Sequence, residues 1–191
     1  MKLQERLPNH IMVGKKKVRV DLGFRNVLDM IDILSDKALM PEAREWLALK
    51  CICIHPVKGM MPVVKKMLFP NIKTKYERIT DFEQDADLIR AAFLQVYGIN
   101  LFRDELHWFE FSCLLSCIPE GNKYSEILSI RTRPIPEATK YNAKERMWLA
   151  NAKAEFGLKI TEDEQKEKYN KDIEKIGACL MALAGEGEND V

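Results

Sequence analysis

Between Thr80 and Arg133 apolar side chains return at steps of three and four, and glycine or proline closes each run. That pattern confines the stretch to helices sharing one core. Thr80 and Glu83 have the spacing of a capping box, and Asp81, Asp85 and Asp87 add negative charge where a helix dipole is positive. A first helix is therefore expected from about Thr80, carrying Phe82, Ala86, Ile89, Phe93 and Val96 on one stripe and ending at Gly98. A second is expected from near Asp104. It would set Leu106, Phe109, Cys113 and Cys117 on one face, with Trp108, Phe111 and Leu115 widening the apolar surface, until Pro119 and Gly121 close it. So wide a surface predicts a central helix with Trp108 buried. A short third helix with a basic end, Asn122 to Thr132, would turn Tyr124, Ile127 and Ile130 inward.

The run DFEQDADLIRAAFLQVYGINLFRDELHWFEFSCLLSCIPEGNKYSEILSIRT, Asp81 to Thr132, resembles the core of the gene-product-fifteen family of tailed phages and prophages of Gram-positive bacteria. DADLIRAAFLQVYGI and LHWFEF are its most specific parts, and a weaker likeness covers Gly14 to Asp21. Where family members carry an acid after the YGI tripeptide, this chain has Asn100. The resemblance implies a small protein from the tail region of a phage genome, similar in position and size to tail assembly chaperones. It implies a non-enzymatic role in morphogenesis, with the tape-measure or tail-tube protein as partner, and supplies no catalytic residues to transfer.

In front of this core, His10–Val13 and Lys17–Asp21 flank Gly14, Lys15 and Lys16 and read as a small hairpin that must lean on a helical body, since two strands alone are marginal. Lys15, Lys16, Lys17 and Arg19 form a basic patch that could meet phosphate, or could guard an edge strand in water; the absence of interleaved aromatics favours the guard. Phe24, Val27, Leu28, Ile31 and Leu34 predict a helix ending near Ser35 and Asp36. Pro41 suits the first turn of the next, whose apolar face would comprise Trp46, Leu49 and Cys53 with Leu47 and Ile54 nearby, up to Pro56. Gly59 to Phe69 predicts another short helix, rich in methionines that either fill a core or form an adaptable surface. Asn71 to Tyr76 reads as a basic connector.

After Arg133, Pro134 and Pro136 mark an extended turn, and Tyr141 to Phe156 predicts a helix carrying Trp148, Leu149, Ala152 and Phe156 and closed by Gly157. Thr161 and Glu164 open the most regular pattern in the chain, a helix from Glu162 to about Leu183 with Tyr169, Ile173, Ile176, Leu180 and Leu183 as its stripe. Opposite them stand Glu162, Asp163, Lys166, Glu167 and Lys168, so the stripe needs a cover: the body of the same chain, a second copy or a tail protein. These five residues are the candidate partner-binding side chains. The expected fold class is mainly α, a compact bundle-like helical domain with a short N-terminal β-hairpin. The expected organisation is residues 1–133 as hairpin plus helical core and 134–191 as a helical extension packed on that core or on a partner.

An apolar fraction of 47% and a charged fraction of 31% suit a globular chain, and no run of about 18 apolar residues suggests a membrane span. With no signal-like hydrophobic start and five irregularly spaced cysteines, reduced thiols in a cytoplasm are expected, which the resemblance implies is that of the bacterial host. The net charge of +1 conceals polarity: residues 1–76 carry 15 basic against 7 acidic side chains, and residues 77–112 carry 3 against 8. Such asymmetry suits self-association or steering toward a charged partner, unless folding evens it out.

Reaction chemistry finds little footing. Cys51, Cys53 and His55 suggest zinc by residue type but lack the spacing and a fourth ligand, and buried thiols account for them more simply. Asp81 with Asp85, and Glu83 with Asp87, share helical faces as a hard metal or acid–base pair would require, yet acids at a helix start need no such purpose. His107 reads as a satisfied core or rim histidine, and Cys113 and Cys117 as core residues. No catalytic, cofactor or metal residue is therefore expected. The alternative to the tail-assembly reading is a structural or regulatory adaptor, with nucleic acid touching Arg131, Arg133 and the Lys15 to Arg19 patch.

Overall fold

The computed structural model describes residues 5–69, 78–159 and Ile173. Among them the order is β1 (His10–Val13), β2 (Lys16–Arg19), then helices α1 (Phe24–Ser35), α2 (Pro41–Ile52), α3 (Met60–Leu68), α4 (Ala86–Tyr97), α5 (Trp108–Ser116), α6 (Lys123–Thr132) and α7 (Ala143–Phe156). The fold is thus mainly helical, with a short N-terminal antiparallel hairpin, as the periodicity predicts. The connector Asn71 to Tyr76 and the helix expected over Glu162 to Leu183, Ile173 apart, lie outside the described residues.

The hairpin pairs His10 with Arg19 and Val13 with Lys16, leaving Gly14 and Lys15 as a two-residue turn. Gly14 has φ 60°, the pattern of a turn with glycine at its first central position. Alternation sends Ile11 and Val20 into the core while Met12, Lys17 and Arg19 stay exposed. Beyond the hairpin, Phe24 N–H donates to Leu106 O at 2.9 Å and Trp108 N–H to Leu22 O at 2.7 Å, so α1 and α5 begin side by side. Arg25 also pairs with Glu105 and donates to Leu101 O at 2.7 Å, fixing the same junction.

Phe111 is the centre of the core. Its ring stacks on Phe24 at 4.9 Å, Phe93 at 5.3 Å and Trp108 at 5.8 Å, drawing α1, α4 and α5 together. Trp108 is buried, as expected. Around these rings lie Val27 and Met30 from α1, Ala48, Leu49 and Ile52 from α2, and Met60, Met61, Val64 and Leu68 from α3. The methionines at the start of α3 therefore fill core.

Several details differ from the sequence expectation. The helix expected from Thr80 starts at Ala86, because Asp81 takes the Glu83 and Gln84 amides into a side-chain-capped turn and the Asp85 carboxylate takes the Asp81 amide. Thr80 bonds the Tyr124 hydroxyl at 3.0 Å instead of capping. The second helix starts at Trp108, not near Asp104, since Asp104 accepts from the Asn100 amide and residues 104–107 are drawn into the pairing with the segment before α1. Asn100 in turn accepts from Phe102 N–H at 3.0 Å.

Cys113 and Cys117 are exposed rather than core residues. Trp108 and Phe111 lie on the other side of α5 and bring far more apolar area, so they take the inner face. On α2 the buried stripe is Ala48, Leu49 and Ile52, and Trp46, Leu47 and Ile54 are exposed. Exposed Trp46 lies under the Lys50 ammonium at 5.0 Å. On α7 Leu149 and Ala152 are buried against α6, and Trp148 is turned outward.

Candidate partner-binding surfaces

At the centre of the polar architecture is an ion pair. Asp85 stands four residues before Ile89 on the inward stripe of α4, and Arg131 four after Ile127 on that of α6. A charge on a core stripe needs a partner, and these two supply each other. The Arg131 guanidinium donates to both Asp85 oxygens at 2.7 and 2.8 Å, with side-chain exposures of 7% and 1%. Its remaining donors reach Ile79 O at 3.0 Å and Phe156 O at 2.7 Å, and Lys153 donates to Arg131 O at 2.6 Å. One side chain thereby joins the starts of the α4 segment and the ends of α6 and α7. Burial pushes the Asp85 carboxyl up, but hydrogen bonds from Arg131 and the Asp81 amide, with the charges of Arg131 and Arg78, outweigh it and hold it below the ordinary range.

Arg131 is therefore committed inside the body and cannot meet phosphate beside the hairpin, contrary to the basic patch expected from sequence. Arg133 is half-exposed and pairs with Glu145 at 2.5 Å, bracing α6 against α7. Lys15, Lys16, Lys17 and Arg19 remain together on the exposed hairpin. Periodicity alone could have singled out Asp85 and Arg131, as charges at inward positions; it could not have shown that they face each other.

Among the described residues, one groove lies along α6 and α7 and another beside the hairpin that carries the basic candidates. The first, of about 590 Å³, runs past Lys123, Ser129, Ile130, Arg133, Trp148 and Phe156. Trp148 is 56% exposed at its rim, and Met147 and Tyr141 are exposed on the same helix and just before it. Of the five stripe residues expected to bind a partner, Ile173 is helical and 49% exposed. Tyr169, Ile176, Leu180 and Leu183 lie outside the described residues. The second surface is a groove of about 870 Å³ between β2 and the chain that leaves α2, from Lys50 to Val57.

The residues considered for chemistry are dispersed or engaged. Cys51 is half-buried, its thiol pushed up by burial and then by Asp29, while Cys53 is buried and His55 exposed. Among the described residues no group of three or more His, Cys, Asp or Glu is placed to hold a metal. Glu83 and Asp87 point to solvent, and the Asp81 and Asp85 carboxylates are spent on backbone amides and Arg131. His107 caps α5: its Nδ1 accepts from Phe109 N–H at 3.2 Å and its Nε2 donates to Pro8 O at 3.1 Å. No helix among the described residues is long and apolar enough to cross a membrane.

The described residues thus form a mainly helical body with a small N-terminal hairpin, knit by a buried ion pair. Residues 57–158 match the family described as Bacteriophage Gp15 protein. That span is more than half of the chain, and the chain belongs to this family. It includes α3 to α7 and leaves out the hairpin, where the weaker likeness over Gly14 to Asp21 lies. No curated protein and no solved structure gives a significant match.

Proposed function

We propose that this chain acts in phage tail assembly, holding the tape-measure or tail-tube protein soluble until polymerisation displaces it. Membership of the Bacteriophage Gp15 family supports the setting. The observation that carries the binding role is the exposure of Trp148 at the rim of the α6–α7 groove. A large aromatic side chain left in water at the rim of a partly apolar groove is what a helix-in-groove contact requires. The stripe of Tyr169, Ile173, Ile176, Leu180 and Leu183, expected from the sequence, would add apolar contacts to an interface too short to hold alone.

Co-expression with separate tape-measure and tail-tube fragments, followed by affinity capture, tests the reading. One fragment should be recovered with the wild-type chain and lost with Trp148→Glu, whose melting curve should match wild type because the side chain is outside the core. Recovery of neither fragment, with abundant protein in mature particles, would refute it. Mass in solution, measured alongside, separates a tail partner from self-association through the same stripe.

A further inference from the structure

The hairpin groove offers a different kind of site. In an antiparallel pair closed by a two-residue turn, ladder bonds join Val13 to Lys16 and Ile11 to Val18, and Val20 N–H donates to Asn9 O at 2.9 Å in the same register. The backbone groups of Lys17 and Arg19 therefore face away from β1. One step on, Asp21 N–H points the same way and is met by Ile52 O at 2.8 Å. Among the described residues the outer edge of β2 is thus an open strand edge beginning where Asp21 is already paired, and it forms one wall of the 870 Å³ groove.

The opposite wall is the extended segment after α2, where Cys53 has φ −153° and ψ 130°. Val18, Ile52, Ile54 and Val57 give the groove its apolar lining, and Lys16, Lys17, Arg19 and Lys50 its charge. Asp21 is the acid among the lining residues, and its carboxylate already accepts from Gly23 N–H at 3.0 Å. We propose that this groove binds an acidic, extended peptide segment of a partner protein, which adds to the outer edge of β2 as a third strand.

Charge selects the occupant. A second copy of β2 would bring its own lysines against these and be repelled, which is how basic edge strands avoid self-pairing. A nucleic acid would satisfy the cations but not the alternating N–H and C=O groups of Lys17 and Arg19, which a peptide backbone matches one for one. The side chains facing the floor would be apolar, and the alternate ones acidic.

The probe is a fluorescent, end-blocked peptide alternating Glu with Val over about eight residues, long enough to span the strand, titrated into the full chain. Saturable binding is expected, with slowed hydrogen exchange at the Lys17 and Arg19 amides. Lys17→Pro removes an outward N–H that the β1 ladder does not use, and should weaken binding about tenfold while the fold persists by circular dichroism. Should that variant fail to fold, the same peptide N-methylated at its central amides makes the comparison on wild-type protein, and should not bind. A peptide with Lys in place of Glu should also fail. Equal binding of the methylated or the lysine peptide, or tighter binding of a short DNA duplex at physiological salt, would overturn the proposal.

Discussion

Asp85 and Arg131, 46 residues apart in the chain, form a two-pronged ion pair at 2.7 and 2.8 Å that is almost sealed from water. Removing one member leaves the other charged and unpaired in the interior, which costs about 3–5 kcal/mol. Asp85→Asn and Arg131→Met should each lower the unfolding free energy by that order in urea denaturation. The double replacement Asp85→Leu with Arg131→Met should recover part of the loss, because two apolar side chains leave no orphan charge. A double variant no better than the singles would mean that the bonds from Arg131 to Ile79 O and Phe156 O matter more than the pair.

The same pair sets an acid limit. Its stability is fully present above the ordinary aspartate value of about 3.9 and drains as pH falls through the lowered value of Asp85 in the folded chain. Wild type should therefore lose stability on acidification in a window below pH about 4, and the Asp85→Asn variant should show a smaller loss there. Melting curves across that range read the difference.

The two tryptophans with opposite surroundings should behave oppositely. Trp108→Ala removes a ring from the aromatic cluster and should cost about 3–5 kcal/mol, enough to threaten the fold. Trp148→Ala should change stability by about 0.5 kcal/mol or less yet weaken capture of the tail fragment. Paired melts and pull-downs check both.

Gly98 ends α4 with φ 69° and accommodates the bonds from its own N–H to Leu94 O and from Ile99 N–H to Phe93 O. An added Cβ there meets nothing within 4 Å, so the cost of Gly98→Ala is conformational: about 1–2 kcal/mol. Gly98→Asn should cost less, and a thermal melt ranks the three.

Thiol accessibility tests the corrected face of α5. In a Cys179→Ser background, a thiol reagent should label exposed Cys113 and Cys117 first and buried Cys53 only on unfolding, with half-buried Cys51 slowed by its raised thiol. Elemental analysis of the same protein should show no stoichiometric zinc.

Local periodicity settled most of the helices and the hairpin, because a run such as Phe24 to Leu34 or Ile89 to Phe93 has one face that must leave water whatever packs on it. Gly98 and Pro41 fixed boundaries for equally local reasons, a backbone angle and a missing donor. Tertiary structure decided what depends on competition. Whether cysteines or aromatics of α5 faced inward turned on which offered more area to Phe24 and Phe93, and Thr80 gave up its cap because Tyr124 lay within reach. Arg131, at an inward position of α6 yet grouped in sequence with a basic patch, became the tie between α4, α6 and α7, because the carboxylate that claims it belongs to the N-cap residue of α4, 46 residues earlier in the chain.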